Sequence, residues 1–237
     1  MLAHSPKIVT DGLVLCLDAA NTKSYPGSGT TWTDLSGNEY NFTLTNSPIF
    51  GTHNGTSCFT FSGTNDYATR AGSISHDIGT RCTLNIVMSS VNNANFGGCS
   101  RLFSVNDGSS SNVDFNTYFT TASCDQTKFG LWYKSSPGGL YPTSSLKTTN
   151  DDYKFVTYKW TASNTAYVFV NGVQENSSAI TTAFDYTAVQ RMTIGMNSSL
   201  NIENSNIRVA LIQMYNRELT ASEIQQNFNA LRGRFSI

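Results

Sequence analysis

The sequence predicts an all-β fold, a two-sheet antiparallel sandwich with one short C-terminal helix, and three observations carry that prediction. Asn, Ser and Thr supply 82 of 237 residues while charged residues supply only 13%, a balance that favours strands and solvated turns over helices. Fourteen Phe, eleven Tyr and three Trp argue against disorder, which lacks the aromatic mass for a core. Short apolar or alternating segments recur along the whole length between clusters of Gly, Asn, Asp, Ser and Pro. No helical stretch intervenes, which excludes a βαβ architecture.

Ten strands are predicted, at 13–17, 58–61, 82–88, 101–105, 117–121, 128–133, 153–160, 166–170, 191–194 and 207–215. In 153–160 both alternating sets, Tyr153, Phe155, Thr157, Lys159 and Lys154, Val156, Tyr158, Trp160, carry apolar bulk, which suits a strand inside a sandwich. Asn171-Gly172 between β-formers fits a two-residue hairpin turn with positive φ. Near the end, Thr220-Ala221-Ser222-Glu223 has capping-box spacing, and Ile224, Phe228 and Leu231 follow at i, i+4 and i+7. The spacing predicts a helix docked by that stripe, with Gln225, Gln226 and Asn229 toward water and Gly233 as its left-handed end. Without an internal repeat or a long linker the chain reads as one domain over 12–237, preceded by an arm over 1–11.

Lys plus Arg total 15 and Asp plus Glu 16, for a net charge of −1, so no electrostatic excess points to nucleic acid or an anionic membrane. No apolar run approaches the roughly 20 residues that span a bilayer, and the N-terminus lacks a signal-peptide pattern. Cys16, Cys58, Cys82, Cys99 and Cys124 form no C-x-x-C pair, which speaks against zinc. Cys16 in its apolar run reads as a buried, reduced thiol, and a reducing cytoplasm fits best; disulfides among the other four stay open.

Several segments, in order, resemble the laminin-G-like, concanavalin A-like lectin/glucanase superfamily, in the form found in structural proteins of tailed bacteriophages. They are Gly12-Leu13-Val14-Leu15-Cys16-Leu17-Asp18-Ala19-Ala20-Asn21, Trp32-Thr33-Asp34-Leu35-Ser36-Gly37-Asn38, Phe61-Ser62-Gly63-Thr64-Asn65-Asp66-Tyr67, the Asn171-Gly172 hairpin, and Tyr215-Asn216-Arg217-Glu218-Leu219-Thr220 with the run to Arg234-Phe235. The resemblance covers nearly the whole chain from Gly12 and implies a jelly-roll of two curved antiparallel sheets. It implies architecture more firmly than activity.

Family members that cleave β-glucans place two Glu around an Asp on one strand. Here Glu39, Glu175, Glu203, Glu218 and Glu223 offer no such pair, and Asp151-Asp152 reads as a turn. His4, His53 and His76 lie in no catalytic motif, and neither a G-x-S-x-G elbow nor a phosphate-binding loop occurs. The expectation is that the chain is not an enzyme. The Asn-x-Ser/Thr matches at Asn41, Asn54, Asn176 and Asn197 are explained by chance in so polar a chain.

Related sandwiches hold calcium at a sheet rim, and the resemblance offers Asp18, Asn65 and Asp66 as ligands. The competing reading has Asn65 and Asp66 shaping a turn and Asp18 satisfying loop amides. It is favoured, because relatives often show Asp in the strand where this chain has Asn206-Ile207-Arg208-Val209-Ala210-Leu211. For sugar binding, which uses an aromatic face and planar polar groups, the candidates are Trp132, Tyr133 and Tyr141 on loops flanking Gly138-Gly139. Trp132 has core filling as its competing role, while Trp32 and Trp160 are expected in the core.

The sequence thus leads to a non-enzymatic phage virion structural protein: a capsid decoration, fibre or tail-associated module, made in the host cytoplasm and resident in the virion. Expected partners are other virion proteins and host surface glycans, with self-association left open and no nucleic acid or membrane insertion. The alternative is a free calcium-dependent lectin.

Overall fold

The computed structural model describes residues 6–72, 74, 78, 81–91, 101–106, 113–119, 128–133, 140–147, 152–179, 191–196 and 204–237. The strands in chain order are β1 (Leu13–Asp18), β2 (Thr31–Trp32), β3 (Phe42–Thr45), β4 (Ile49–His53), β5 (Thr56–Ser62), β6 (Tyr67–Ala71), β7 (Cys82–Ser90) and β8 (Arg101–Asn106). They continue as β9 (Val113–Phe119), β10 (Lys128–Tyr133), β11 (Leu140–Lys147), β12 (Lys154–Trp160), β13 (Thr165–Val170), β14 (Val173–Ala179), β15 (Arg191–Ile194) and β16 (Asn206–Tyr215), before the helix α1 (Ala221–Phe235). The first sheet runs β14-β13-β12-β7-β16-β5-β4, with β1 also paired to β16, and the second runs β11-β10-β9-β8-β15-β6-β3-β2. Every strand pair is antiparallel, so the expected two-sheet sandwich with its C-terminal helix is the fold.

Alternation sends Cys82, Leu84, Ile86 and Met88 of β7, and Val156, Tyr158 and Trp160 of β12, between the sheets. The opposite face of the first sheet is buried as well. Val87, Phe155, Phe169, Leu211 and Tyr215 form a second cluster with Ile224, Phe228, Leu231 and Phe235 of α1. This explains why 153–160 carries apolar bulk on both faces: β12 lies between the core and the helix. In β16 a bulge between Val209 and Leu211 changes parity, so Ile207 and Val209, then Ile212 and Met214, all reach the inner core. Trp32 and Trp160 are in the core, as expected.

Six strands escaped the sequence reading. β2 has two residues, β14 is polar (Val-Gln-Glu-Asn-Ser-Ser-Ala) and largely exposed, and β3, β4, β6 and β11 mix Thr, Ser, Gly or Pro with few apolar residues. Their register comes from neighbours rather than from their own periodicity. The helix begins at its predicted capping box, but Gly233 lies inside it and Ser236 (φ 55°) is the left-handed cap. Phe235, four residues beyond Leu231, extends the buried stripe, and that packing carries the helix past glycine. Among the described residues no helix is long and apolar enough to cross a membrane.

Cys16, Cys58 and Cys82 are free and buried; Cys99 and Cys124 lie outside the described residues. The chain before β1 rests on the domain. Val9 is buried in the helix-side cluster, its N–H donates to Asn227 Oδ1 (2.8 Å) and its carbonyl accepts from the Tyr215 hydroxyl (2.9 Å). Asn227 Nδ2 donates to the same Tyr215 oxygen (3.1 Å), closing a buried polar triangle.

Candidate functional site

The structure places Trp132 and Tyr133 at the end of β10 and Tyr141 near the start of β11, on strands rather than on loops. The Cα partners Leu131↔Tyr141 and Trp132↔Leu140 place all three on one strand pair at the edge of the second sheet, but Tyr141 is paired with core-filling Leu131 and Tyr133 stands two positions from Leu131, so only Trp132 falls on the opposite register parity. That hairpin begins a register row across the sheet. Trp132 pairs with Asn116, Asn116 with Ser104, Ser104 with Thr193, Thr193 with Thr69, Thr69 with Thr43 and Thr43 with Thr31.

Directly paired residues share a sheet face. The flanking Phe42, Leu44, Ala68, Met192, Ile194, Phe103 and Val105 fill the core, so the five hydroxyl residues from Ser104 to Thr31 line the opposite face. Thr31 and Thr43 are exposed and Thr69 is half-buried, whereas Thr193 and Ser104 are buried. The Thr69 hydroxyl donates to the Met192 carbonyl (3.1 Å) and the Thr193 hydroxyl to the Met196 carbonyl (2.8 Å), while Ser104 Oγ has no hydrogen-bond partner among the described residues. The sequence could not show this row, since its members come from strands far apart in the chain and only sheet order aligns them.

The calcium candidates do not come together. Asp18 pairs with Leu211 on β16, and Ser62, which holds Asp66, pairs with Asn206. Five residues of strand separate them, roughly 17 Å at about 3.3 Å per residue. Both Asp18 carboxylate oxygens accept from the Arg234 guanidinium, Oδ2 at 2.6 Å from Nη1, so a positive group stands where a cation would have to sit; Oδ1 also accepts from the Ala20 amide (3.0 Å). Asp66 accepts from the Ser62 amide (2.8 Å to Oδ2) and hydroxyl (2.5 Å), closing a turn. The Asn65 carbonyl accepts from Asn46 Nδ2 (2.8 Å). These residues do not fit a shared calcium site, and the loop-amide and turn reading describes Asp18 and Asp66. Among the described residues no three His, Cys, Asp or Glu side chains are placed to hold a metal.

A pocket of ≈ 360 Å³ opens beside the end of α1, lined by Asn54 and Asn171 from two hairpin turns, by Asp152, Tyr153 and Lys154, and by the last residues from Phe235 to Ile237. Asn171 (φ 51°) and Gly172 (φ 80°) form the predicted turn, and Asn171 Oδ1 accepts from the Phe155 amide (3.0 Å), fixing the turn against β12. Lys154 Nζ lies 4.0 Å from Asp152 Oδ2. Sequence reading took Asp152 only as a turn residue; Asn-Gly turns are the one local signal at this pocket, and they report conformation rather than binding. Burial pushes the Cys16 thiol up to about 12, with Asp18 and Asp34 adding to the rise. Burial raises Cys58 and Cys82 likewise, so these thiols are protonated at neutral pH and inert as nucleophiles.

The sandwich, its closed core and its helix-covered back define a β-sandwich of the lectin type, and the chain belongs to the concanavalin A-like lectin/glucanases superfamily, whose laminin-G-type model matches residues 88–225. Among solved structures it is similar to a Trypanosoma rangeli sialidase in complex with sialic acid (TM-score 0.69, 16% identity, 99% of this chain and 37% of that one). It is similar also to the binding domain of Paraclostridial Mosquitocidal Protein 1 (TM-score 0.69, 16% identity, 93% of this chain and 52% of that one). The botulinum neurotoxin serotype D binding domain gives 0.67, 14% identity, 93% and 52%. The chain therefore spans about a third of the sialidase and about half of each toxin domain, and at these identities the likeness is one of fold. No curated protein matches by sequence.

Proposed function

We propose that the chain is a non-enzymatic, lectin-like display module of a bacteriophage virion, which contacts a host surface glycan through the end of the β10–β11 hairpin. The observation that carries the reading is the register row on the outer face of the second sheet, which leads from exposed Thr31 and Thr43 to Trp132. An uncharged sheet face with exposed hydroxyl residues at one end of the row and a tryptophan at the other suits a sugar, whose hydroxyls need hydrogen bonds and whose ring faces need an apolar partner. Support comes also from relatives of the fold, a sialidase solved with sialic acid and two toxin binding domains. The phage setting rests on the resemblance of the segments around Asp18, Asp34 and Arg217 to virion proteins.

The test is retention on immobilised host surface polysaccharide, together with immunogold labelling of particles. The intact chain should bind in the presence of a calcium chelator. Trp132→Ala should weaken binding roughly tenfold, the loss of one well-placed contact of about 1.4 kcal/mol, whereas Tyr141→Ala, on the register parity of Leu131, should leave binding unchanged. Binding unchanged by Trp132→Ala would sink the site, and unlabelled particles would sink the virion assignment.

A further inference from the structure

We infer that β4 is a self-association edge, through which two copies pair antiparallel about Gly51 and join their first sheets into one. The other sheet edges carry protection of the usual kinds. β14 bears Glu175, β11 contains Pro142 and Lys147, β2 has only two residues, and the far side of β1 is bonded by Asp34 and the Leu35 amide of the loop after β2. β4 is Ile-Phe-Gly-Thr-His, five residues with no acidic residue, lysine, arginine or proline, and Ile49 at its start is 66% exposed.

The hydrogen-bond phase of this edge follows from its turn. Asn54 (φ 47°) and Gly55 (φ 75°) make a two-residue hairpin turn between the partners His53 and Thr56. The closing pair of such a turn is hydrogen-bonded, and the alternation places Gly51↔Cys58 and Ile49↔Thr60 in the same class. The N–H and C=O groups of Phe50 and Thr52 therefore face the open edge, and no described residue bonds them there.

A two-fold axis at Gly51 matches Phe50 of one copy with Thr52 of the other, and the reverse, giving two doubly hydrogen-bonded pairs that use all four open groups on each strand. The axis itself falls on a Gly51–Gly51 pair of the close, non-hydrogen-bonded type, where the absence of side chains removes the crowding. Each exposed Ile49 comes opposite His53 of the other copy. The glycine at the middle of this short segment, which leaves a two-fold axis uncrowded, and the lack of any acidic residue, lysine or arginine that would repel its own image favour a second copy over an unrelated strand. Five residues a side is a small contact, so association should depend strongly on concentration.

Sedimentation velocity of the full chain over a wide concentration range tests this. The dimer fraction should grow with concentration. Thr52→Pro, which deletes an outward N–H, and Ile49→Lys, at an exposed position, should each weaken association roughly tenfold or more while circular dichroism stays unchanged. If proline disturbs the strand, Ile49→Lys alone decides. A chain monomeric at every concentration, or a dimer that Ile49→Lys leaves intact, would overturn the proposal.

Discussion

Asp34 shows how much one side chain organises here. Its carboxylate accepts from the Cys16 amide (2.8 Å), the Ser36 amide (2.9 Å), the Ser36 hydroxyl (2.7 Å) and the Tyr40 amide (3.2 Å), tying the loop after β2 to β1. Hydrogen bonds to a charged group are worth more than neutral ones, and removing this acceptor strands buried donors, so Asp34→Ala should lower the unfolding free energy by about 3 kcal/mol. Asp34→Asn, which keeps one acceptor, should cost less; urea denaturation of both variants measures the difference. The segment around Asp34 stood out in the sequence through its resemblance to a family, and its role as a shared acceptor was not read there. For Asp18 the loop-amide role was legible, but its partner Arg234 was not, since it lies at the far end of the chain and no spacing rule reaches across that distance.

The helix makes the same contrast at the scale of an element. Its start was readable because a capping box is a four-residue device: Thr220 Oγ1 accepts from the Glu223 amide (3.2 Å) and Glu223 Oε2 from the Thr220 amide (2.8 Å). Its end was set by where Phe235 finds a pocket, which is tertiary information. The hydrogen bond from Arg217 (Nη2 to Oε1, 2.6 Å) lowers Glu223 from an ordinary 4.5 to about 2, against a smaller opposing effect of burial. Because the folded value lies below the unfolded one, this contribution is present above pH 4.5 and is lost as pH falls from there toward 2. Glu223→Gln should therefore lower the melting temperature at pH 7 and flatten its acid-side decline over that window, as thermal melts across pH will show. The missed strands tell a parallel story: β14 and β3 hold their places through neighbours, and polar strands leave little mark on hydropathy.

For the whole molecule, composition and punctuation were enough for the fold class, because a chain so rich in Thr, Ser, Asn and aromatics has few other ways to bury a core. Sheet order was beyond them, and with it the row from Thr31 to Trp132. Residues 6–11 are part of the closed back of the sandwich. Deleting 1–10 removes Val9 and its hydrogen bonds to Asn227 and Tyr215, which should cost about 2–4 kcal/mol from lost apolar burial and unpaired buried groups. Calorimetry should record a lower melting temperature with the strand spectrum retained, and an unchanged melt would show that this segment adds nothing to the fold. Lys7 and Gln226 are joined by a hydrogen bond (2.8 Å), and the segment before β1 and the helix after β16 cover the same side of the first sheet. Lys7 to Val9 and the end of α1 therefore lie together on the back of the first sheet, and the outer face of the second sheet looks the other way.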